Sequence, residues 1–300
     1  VAGGTSQGVL LEGQLELNSN YQQIRSDKFF TGDKPAERKY FDRFSSDYQY
    51  FRVAYGLSDR LTLSVEGGNY FHKEETGLNG DAARTYDSRG ISDLVIFPRF
   101  TVMNLVKPKH TTELSLGMGV KVPLGSYNDS TEYVEPFSGF TYYVTNPQAV
   151  QLTSGALDAI FYAFLYRGYP SKGFRTFANL LYIRKSWNPL GERMGDFVSI
   201  GLFAGKTFFY RYGLTLQLRG EWMGKMQINP DILMYAFPNY DPEATGHRKL
   251  FLSPQFSYSY EALTVYALVD IPLYQYVNLT QVGTQWQATA GVSYKLRLKE

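Results

Sequence analysis

The chain contains no cysteine. Disulfide staples, cysteine-ligated zinc and thiol catalysis are therefore excluded, while the compartment is left open. Histidine is nearly as scarce. His72, His110 and His247 are the three present, and their spacing matches no metal-ligand pattern. No apolar run approaches the roughly eighteen residues of a transmembrane helix. Helical periodicity is absent as well. Neither sign of charge dominates, with 30 Lys and Arg against 28 Asp and Glu and a formal net charge of +2. Nucleic-acid recognition calls for a concentrated basic face, so a nucleic-acid partner is not expected. A phosphate loop is missing too. Gly117-Met118-Gly119 is the nearest candidate, no helix follows it, and it reads as a pair of small interior residues. Val1 opens without a basic segment or an apolar h-region, so any export signal is expected to have been removed.

Aromatic side chains, by contrast, are plentiful at 16%, with 25 Tyr and 21 Phe. Such residues favour strands and gather at membrane interfaces. The clearest pattern runs from Thr284 to Leu298. Trp286, Ala288, Ala290, Val292, Tyr294, Leu296 and Leu298 alternate with Gln285, Gln287, Thr289, Gly291, Ser293, Lys295 and Arg297. A period of two over about fifteen residues is a long strand with one apolar and one polar face. Ordinary strands run about five or six residues, whereas a membrane-spanning strand needs about nine to eleven.

Eleven more such stretches precede it. They lie at about Leu11–Gln23, Phe44–Tyr55, Leu61–His72, Ile91–Val106, Glu113–Leu124, Ala156–Tyr166, Phe174–Lys185, Asp196–Phe209, Leu214–Lys225, Lys249–Tyr260 and Leu263–Ile271. Faces are poorly separated in the second, which allows a bulge. Pro98 interrupts the fourth and implies an irregularity there. Connections are tight after even strands and generally longer after odd ones, including Gly77–Gly90, Gly125–Leu152 and Asn229–Thr245. Bacterial outer-membrane barrels share this asymmetry of short periplasmic turns and long outer loops. The expected fold is all-β: one antiparallel up-and-down transmembrane β-barrel of about twelve strands, forming a single domain over 1–300.

Alternation alone does not say which face is inside. Two arguments place the polar face inward. Eight strands already enclose a space that side chains just fill, and diameter grows with strand number. A twelve-stranded soluble barrel would be left with a void. In addition, the polar faces carry Glu12, Glu16, Glu66, Arg99, Glu113, Lys121, Arg175, Arg219, Glu221, Lys225, Asp270, Lys295 and Arg297. An Arg or Lys facing acyl chains near the midplane would cost about 2–4 kcal/mol. These residues are therefore expected to line a wet lumen, with Glu12 and Glu16 near Lys295 and Arg297 where the first and last strands close the barrel. Opposite charges across such a pair contribute about 0.2–1 kcal/mol each. An aligned β-sandwich is the competing arrangement.

Chemistry is sparse. His247 with Ser253 is the nearest approach to a hydrolase pair, and Glu66 or Glu221 could serve acid–base roles, but paired lumen charges explain the carboxylates better. No catalytic residue, cofactor or metal is expected. Phe137, Phe140, Tyr142 and Tyr143 crowd the long connection after the fifth strand and are expected to fold inward as a constriction or a binding lip.

Several segments resemble a known family. Gly56-Leu57-Ser58-Asp59-Arg60-Leu61-Thr62-Leu63, Gly90-Ile91-Ser92-Asp93-Leu94, Val120-Lys121-Val122-Pro123-Leu124-Gly125 and Pro272-Leu273-Tyr274-Gln275-Tyr276-Val277-Asn278 are similar to the outer-membrane family named for the meta-pathway of phenol degradation. The resemblance implies a barrel in the bacterial outer membrane that passes small organic molecules, hydrophobic or aromatic ones among them. The expected partners are outer-membrane lipid and a small solute. A plugged barrel that anchors an envelope protein is the alternative, and a membrane lipid hydrolase is the third reading.

Overall fold

Period-two alternation becomes twelve long strands. The computed structural model describes residues 8–37, 39, 41–77, 85–135, 137–229 and 241–298. The start at Val1 therefore lies outside the described residues, as do 78–84 in the Gly77–Gly90 loop and 230–240 in the Asn229–Thr245 loop. The strands are β1 Gln14–Ser26, β2 Arg43–Ser58, β3 Leu61–Thr76, β4 Leu94–Lys107, β5 His110–Val122, β6 Asp158–Tyr169, β7 Phe174–Arg184, β8 Phe197–Phe208, β9 Tyr212–Met223, β10 His247–Tyr260, β11 Leu263–Val282 and β12 Trp286–Arg297. Each pairs antiparallel with its neighbours in sequence, and β12 returns to β1 with Gln14 opposite Arg297 and Arg25 opposite Trp286. Closure leaves no free edge, so backbone groups in the wall bond to one another with no help from water.

A twelve-residue strand such as β8, at about 3.4 Å per residue and a tilt near 45°, spans roughly 29 Å, the thickness of a bilayer's hydrocarbon core. The outward side chains suit that setting. Leu17, Phe51, Val53, Leu63, Val65, Leu116, Met118, Leu202, Leu216, Leu218, Val265 and Val292 are all exposed on the outer face. Below them, at the end with the tight turns, Phe208, Phe209, Tyr210, Tyr212 and Tyr260 form an exposed aromatic girdle. That end is the periplasmic one.

Several local details differ from the alternation. β1 starts at Gln14, because Gly13 takes φ +71 and donates its N–H to Gly56 O at 3.0 Å, which turns the chain. Register slips in β2 at Asp47/Tyr48. The pairing of β4 with β5 passes over Phe97 and Pro98, where the proline has no N–H to give. β11 runs far beyond Ile271, to Val282. A slip at Leu250/Phe251 absorbs Leu273, and the strand Phe29–Gly32 then supplies a partner for Val277–Val282. The connection from β11 to β12 is consequently short, unlike the other outer ones.

Candidate functional site

Inward-facing side chains fill the barrel, and they divide it into two walls. On β1 to β3 and β9 to β12 the wall is polar. Glu16 is buried between Arg52, whose guanidinium donates to its Oε1, and Lys295, with Nζ 3.2 Å from its Oε2. Glu66 accepts from the Tyr50 hydroxyl at 2.7 Å and from Ser64 Oγ at 3.2 Å. Asn20 Nδ2 donates to the Tyr266 hydroxyl at 3.2 Å. Arg219 joins Asp270 at 3.0 Å and Glu221 at 3.1 Å, and Ser253 Oγ donates to Asp270. Charges taken out of bulk water are costly unless paired, and these sets pair them across strands.

The opposite wall, on β4 and β6 to β8, is aromatic and aliphatic. Phe97, Ile160, Tyr162, Phe164 and Leu181 form a buried cluster that Phe177, Ile183 and Phe197 extend. Phe177 stacks on Phe203 with ring centres 4.1 Å apart. Phe97 lies flat on β5 because Gly117 and Gly119 leave room. A Cβ on either would sit 2.7 Å from its ring. Between the two walls is a cavity of about 250 Å³, lined by Tyr48, Tyr50, Tyr70, Tyr162 and Ile160 together with Arg52, Arg99, Glu66 and Lys121.

Two segments enter from the ends. At the periplasmic end, Val9 N–H donates to Glu113 Oε1 at 3.3 Å and Leu10 N–H to Thr62 Oγ1 at 2.7 Å, so Gly8–Leu10 crosses the interior next to Phe164. At the outer end, the chain returning to β6 packs inward over 146–153. Lys73 Nζ donates to Gln151 O at 2.6 Å, Gln151 Nε2 donates to Asp129 O and Asn146 O, and Val150 is fully buried against Phe29, Phe41 and Tyr86.

The residues singled out from sequence fall into two groups. Glu16, Glu66, Arg99, Asp270, Arg219, Glu221 and Lys295 sit on the inner face around the networks just described. Glu113 accepts from Ser115 Oγ at 2.8 Å. Lys121 reaches Asp93 at 2.7 Å and Asp158 at 3.6 Å, and Arg175 lies over Gly205 on the inner wall. Glu12, Lys225 and Arg297 are elsewhere. Glu12 is exposed in the turn before β1, Lys225 is beyond the end of β9 in an exposed ion pair with Glu243, and Arg297 is exposed as the last residue of β12. Alternation in sequence outran the strands in space at Glu12 and Lys225, while Arg297 sits at the rim where β12 ends.

The aromatic loop residues are corrected more sharply. Ser130–Val134 and Thr141–Thr145 form a small hairpin of their own. Phe137, at 98% exposure, and Phe140 and Tyr143 project into solvent from it, and Tyr142, partly exposed, packs on Tyr133. Outside the barrel no wall is available to cover them. The inward element is the segment that follows, which has no aromatic side chain to announce it. His247 and Ser253 do not meet either. Six residues along β10 separate them by about 20 Å, and Ser253 is buried on Asp270. The aromatic inner wall leaves a trace in sequence where a strand is apolar on both faces, as at Ile160-Phe161-Tyr162-Ala163-Phe164-Leu165 and Leu180-Leu181-Tyr182-Ile183, since a strand with lipid on one side and water on the other would not be.

On the outer rim, Asp196 gathers the ends of β7 and β8. It accepts from Tyr182 at 2.9 Å, Arg184 at 2.7 Å and the Lys185 N–H at 2.9 Å. Burial pushes its carboxyl up, but these donors outweigh it and hold the pKa below the usual range.

No family model matches the chain and no curated protein matches it. Among solved structures, an outer membrane channel from Pseudomonas putida F1 aligns over 99% of this chain and 100% of that one, with a TM-score of 0.70 at 13% identity. The chain is an outer-membrane β-barrel. The β domain of the Bordetella autotransporter BrkA (TM-score 0.49, 9% identity, 95% of this chain and 100% of that one) and the NanC porin (0.47, 11%, 93% and 100%) are more distant. Among the described residues no helix is long and apolar enough to cross a membrane and no group of metal-binding side chains occurs.

Proposed function

We propose that this barrel passes a small solute passively across the outer membrane, and that Glu16, Glu66, Arg99, Glu113, Lys121, Arg175, Arg219, Glu221, Asp270 and Lys295 line its route. The observation that carries the reading is the two-faced cavity. An aromatic and aliphatic wall opposes a hydrogen-bonding one, which suits a hydrophobic or aromatic molecule that carries a polar group. Carboxylates and cations alternate along the polar wall, so no strong preference for ions of one sign is expected. The resemblance to the phenol-degradation family agrees with this solute class, and membership of that family is part of the proposal. Single-channel recording in planar bilayers, with swelling of solute-loaded vesicles, tests the reading. Measurable solute entry supports it, and a barrel closed to ions and solutes alike contradicts it.

A second reading draws on Gly8–Leu10 and 146–153, which approach the interior from opposite ends. The barrel would then be a plugged anchor for an envelope protein. Co-purification of a stable partner with a non-conducting barrel would favour it.

A further inference from the structure

The exterior of β9, β10 and β11 carries a feature that the channel reading does not use. Cross-strand register puts Trp222 opposite Arg248, and Arg248 opposite Tyr276. All three are exposed. They point outward, because Glu221, Lys249 and Gln275, the next residues along each strand, turn into the barrel, where Lys249 meets Thr284 at 2.9 Å and Gln275 Oε1 accepts the Thr284 N–H at 3.0 Å. The level is the outer interface, since β9 ends and β10 begins there, at the end away from the tight turns. One pair further toward the midplane, Gly220 faces Leu250, and Leu250 faces Tyr274. A Cβ on Gly220 would meet nothing within 4 Å. The outer wall thus has a notch at Gly220, floored by backbone and flanked by apolar side chains. Above it on the same strand stands Trp222, with Arg248 beside Trp222 on β10, between Trp222 and Tyr276 in register.

Arg248 makes no ion pair among the described residues. An arginine at membrane-interface depth stands among anionic headgroups, and a guanidinium takes a phosphate through two parallel N–H donors. Trp and Tyr seat at the level of lipid headgroups. The notch lies about one residue pair, or roughly 5–7 Å, below the cation, where an acyl chain joined to that headgroup begins. We propose that Trp222, Arg248, Tyr276 and Gly220 form a binding site for a phosphorylated, acylated lipid of the outer leaflet, with Arg248 on the phosphate and the chain laid over Gly220.

The test uses the full chain in detergent micelles and native mass spectrometry. The probes are a bisphosphorylated acyl glycolipid, its dephosphorylated form and phosphatidylglycerol. The phosphorylated glycolipid is expected to stay bound. Arg248→Ala should weaken it about tenfold or more, the scale of one charge-assisted hydrogen bond. Gly220→Leu fills open space on the lipid face, leaves folding intact and should weaken it by a similar factor. Arg211→Ala, at the periplasmic end where Arg211 lies 5.4 Å from the Tyr260 ring, should leave it unchanged. Phosphatidylglycerol, with a single phosphodiester, should be retained more weakly but through the same Arg248, and equal retention of the dephosphorylated lipid would overturn the proposal. So would an Arg248→Ala protein that binds as the parent does.

Discussion

Replacing Arg52 by alanine removes a cation that donates directly to a carboxylate with 1% exposure, Glu16. Taking one partner from a buried pair costs about 3–5 kcal/mol when the other is left wholly uncompensated. Glu16 keeps Lys295 at 3.2 Å, which lowers the expected loss to about 2 kcal/mol. With a urea slope of about 3 kcal/mol per molar for a chain of this size, the unfolding midpoint falls by roughly 0.7 M. Tryptophan fluorescence of the barrel in lipid vesicles across a urea series reads this shift. Glu16→Gln separates the ion pair from mere loss of packing. In that background Arg52→Ala should cost less, with a coupling of about 1–3 kcal/mol. An identical cost in both backgrounds would refute the claim that Arg52 stabilises the inner wall through its charge pairing with Glu16. Because Arg52 also lines the cavity, the same variant should raise single-channel conductance.

Deleting 130–145 should leave conductance nearly unchanged, since the hairpin tip projects into solvent. Gln151→Ala should raise it in the same bilayer recordings, by freeing the segment that Gln151 ties to Asp129 and Asn146. Gly117→Leu forces the Phe97 ring off β5 and into the cavity, so solute-dependent vesicle swelling should slow while the far-UV circular dichroism of the barrel is unchanged. Asp196 has a lowered pKa, so the stability it supplies is present above its ordinary value of 3.8 and fades as the pH falls below that. Protection factors for hydrogen exchange across 185–196, taken relative to the intrinsic rate at each pH, should be higher at pH 6 than near pH 3, and Asp196→Asn should abolish that difference.

Much of the wall was legible in the sequence because lipid and water impose opposite demands on alternate residues. Leu214, Leu216 and Leu218 against Thr215, Gln217 and Arg219 is such a case, and the structure sends the first set outward and the second inward. What sits inside was less legible. Phe177 and Phe203 are inward aromatics on strands whose outward residues are apolar too, so no contrast marks them. Glu12 continues an alternation that geometry ends at Gly13, and Lys225 one that ends with β9 at Met223. The inward segments at 8–10 and 146–153 carry no periodicity. They are held chiefly by contacts with residues distant in sequence, such as Leu10 N–H to Thr62 Oγ1 and Lys73 Nζ to Gln151 O, and local patterns contain no trace of such contacts.

A chain without cysteine allows one to be placed at will. Single cysteines at Leu218 and at Gln217, adjacent on β9, carry a spin label in turn, and relaxation by oxygen dissolved in the bilayer is compared with relaxation by a water-soluble nickel chelate. The label at 218 should respond to oxygen and the label at 217 to the chelate. The reverse order, or two labels with the same response, would mean that the apolar face does not meet the membrane.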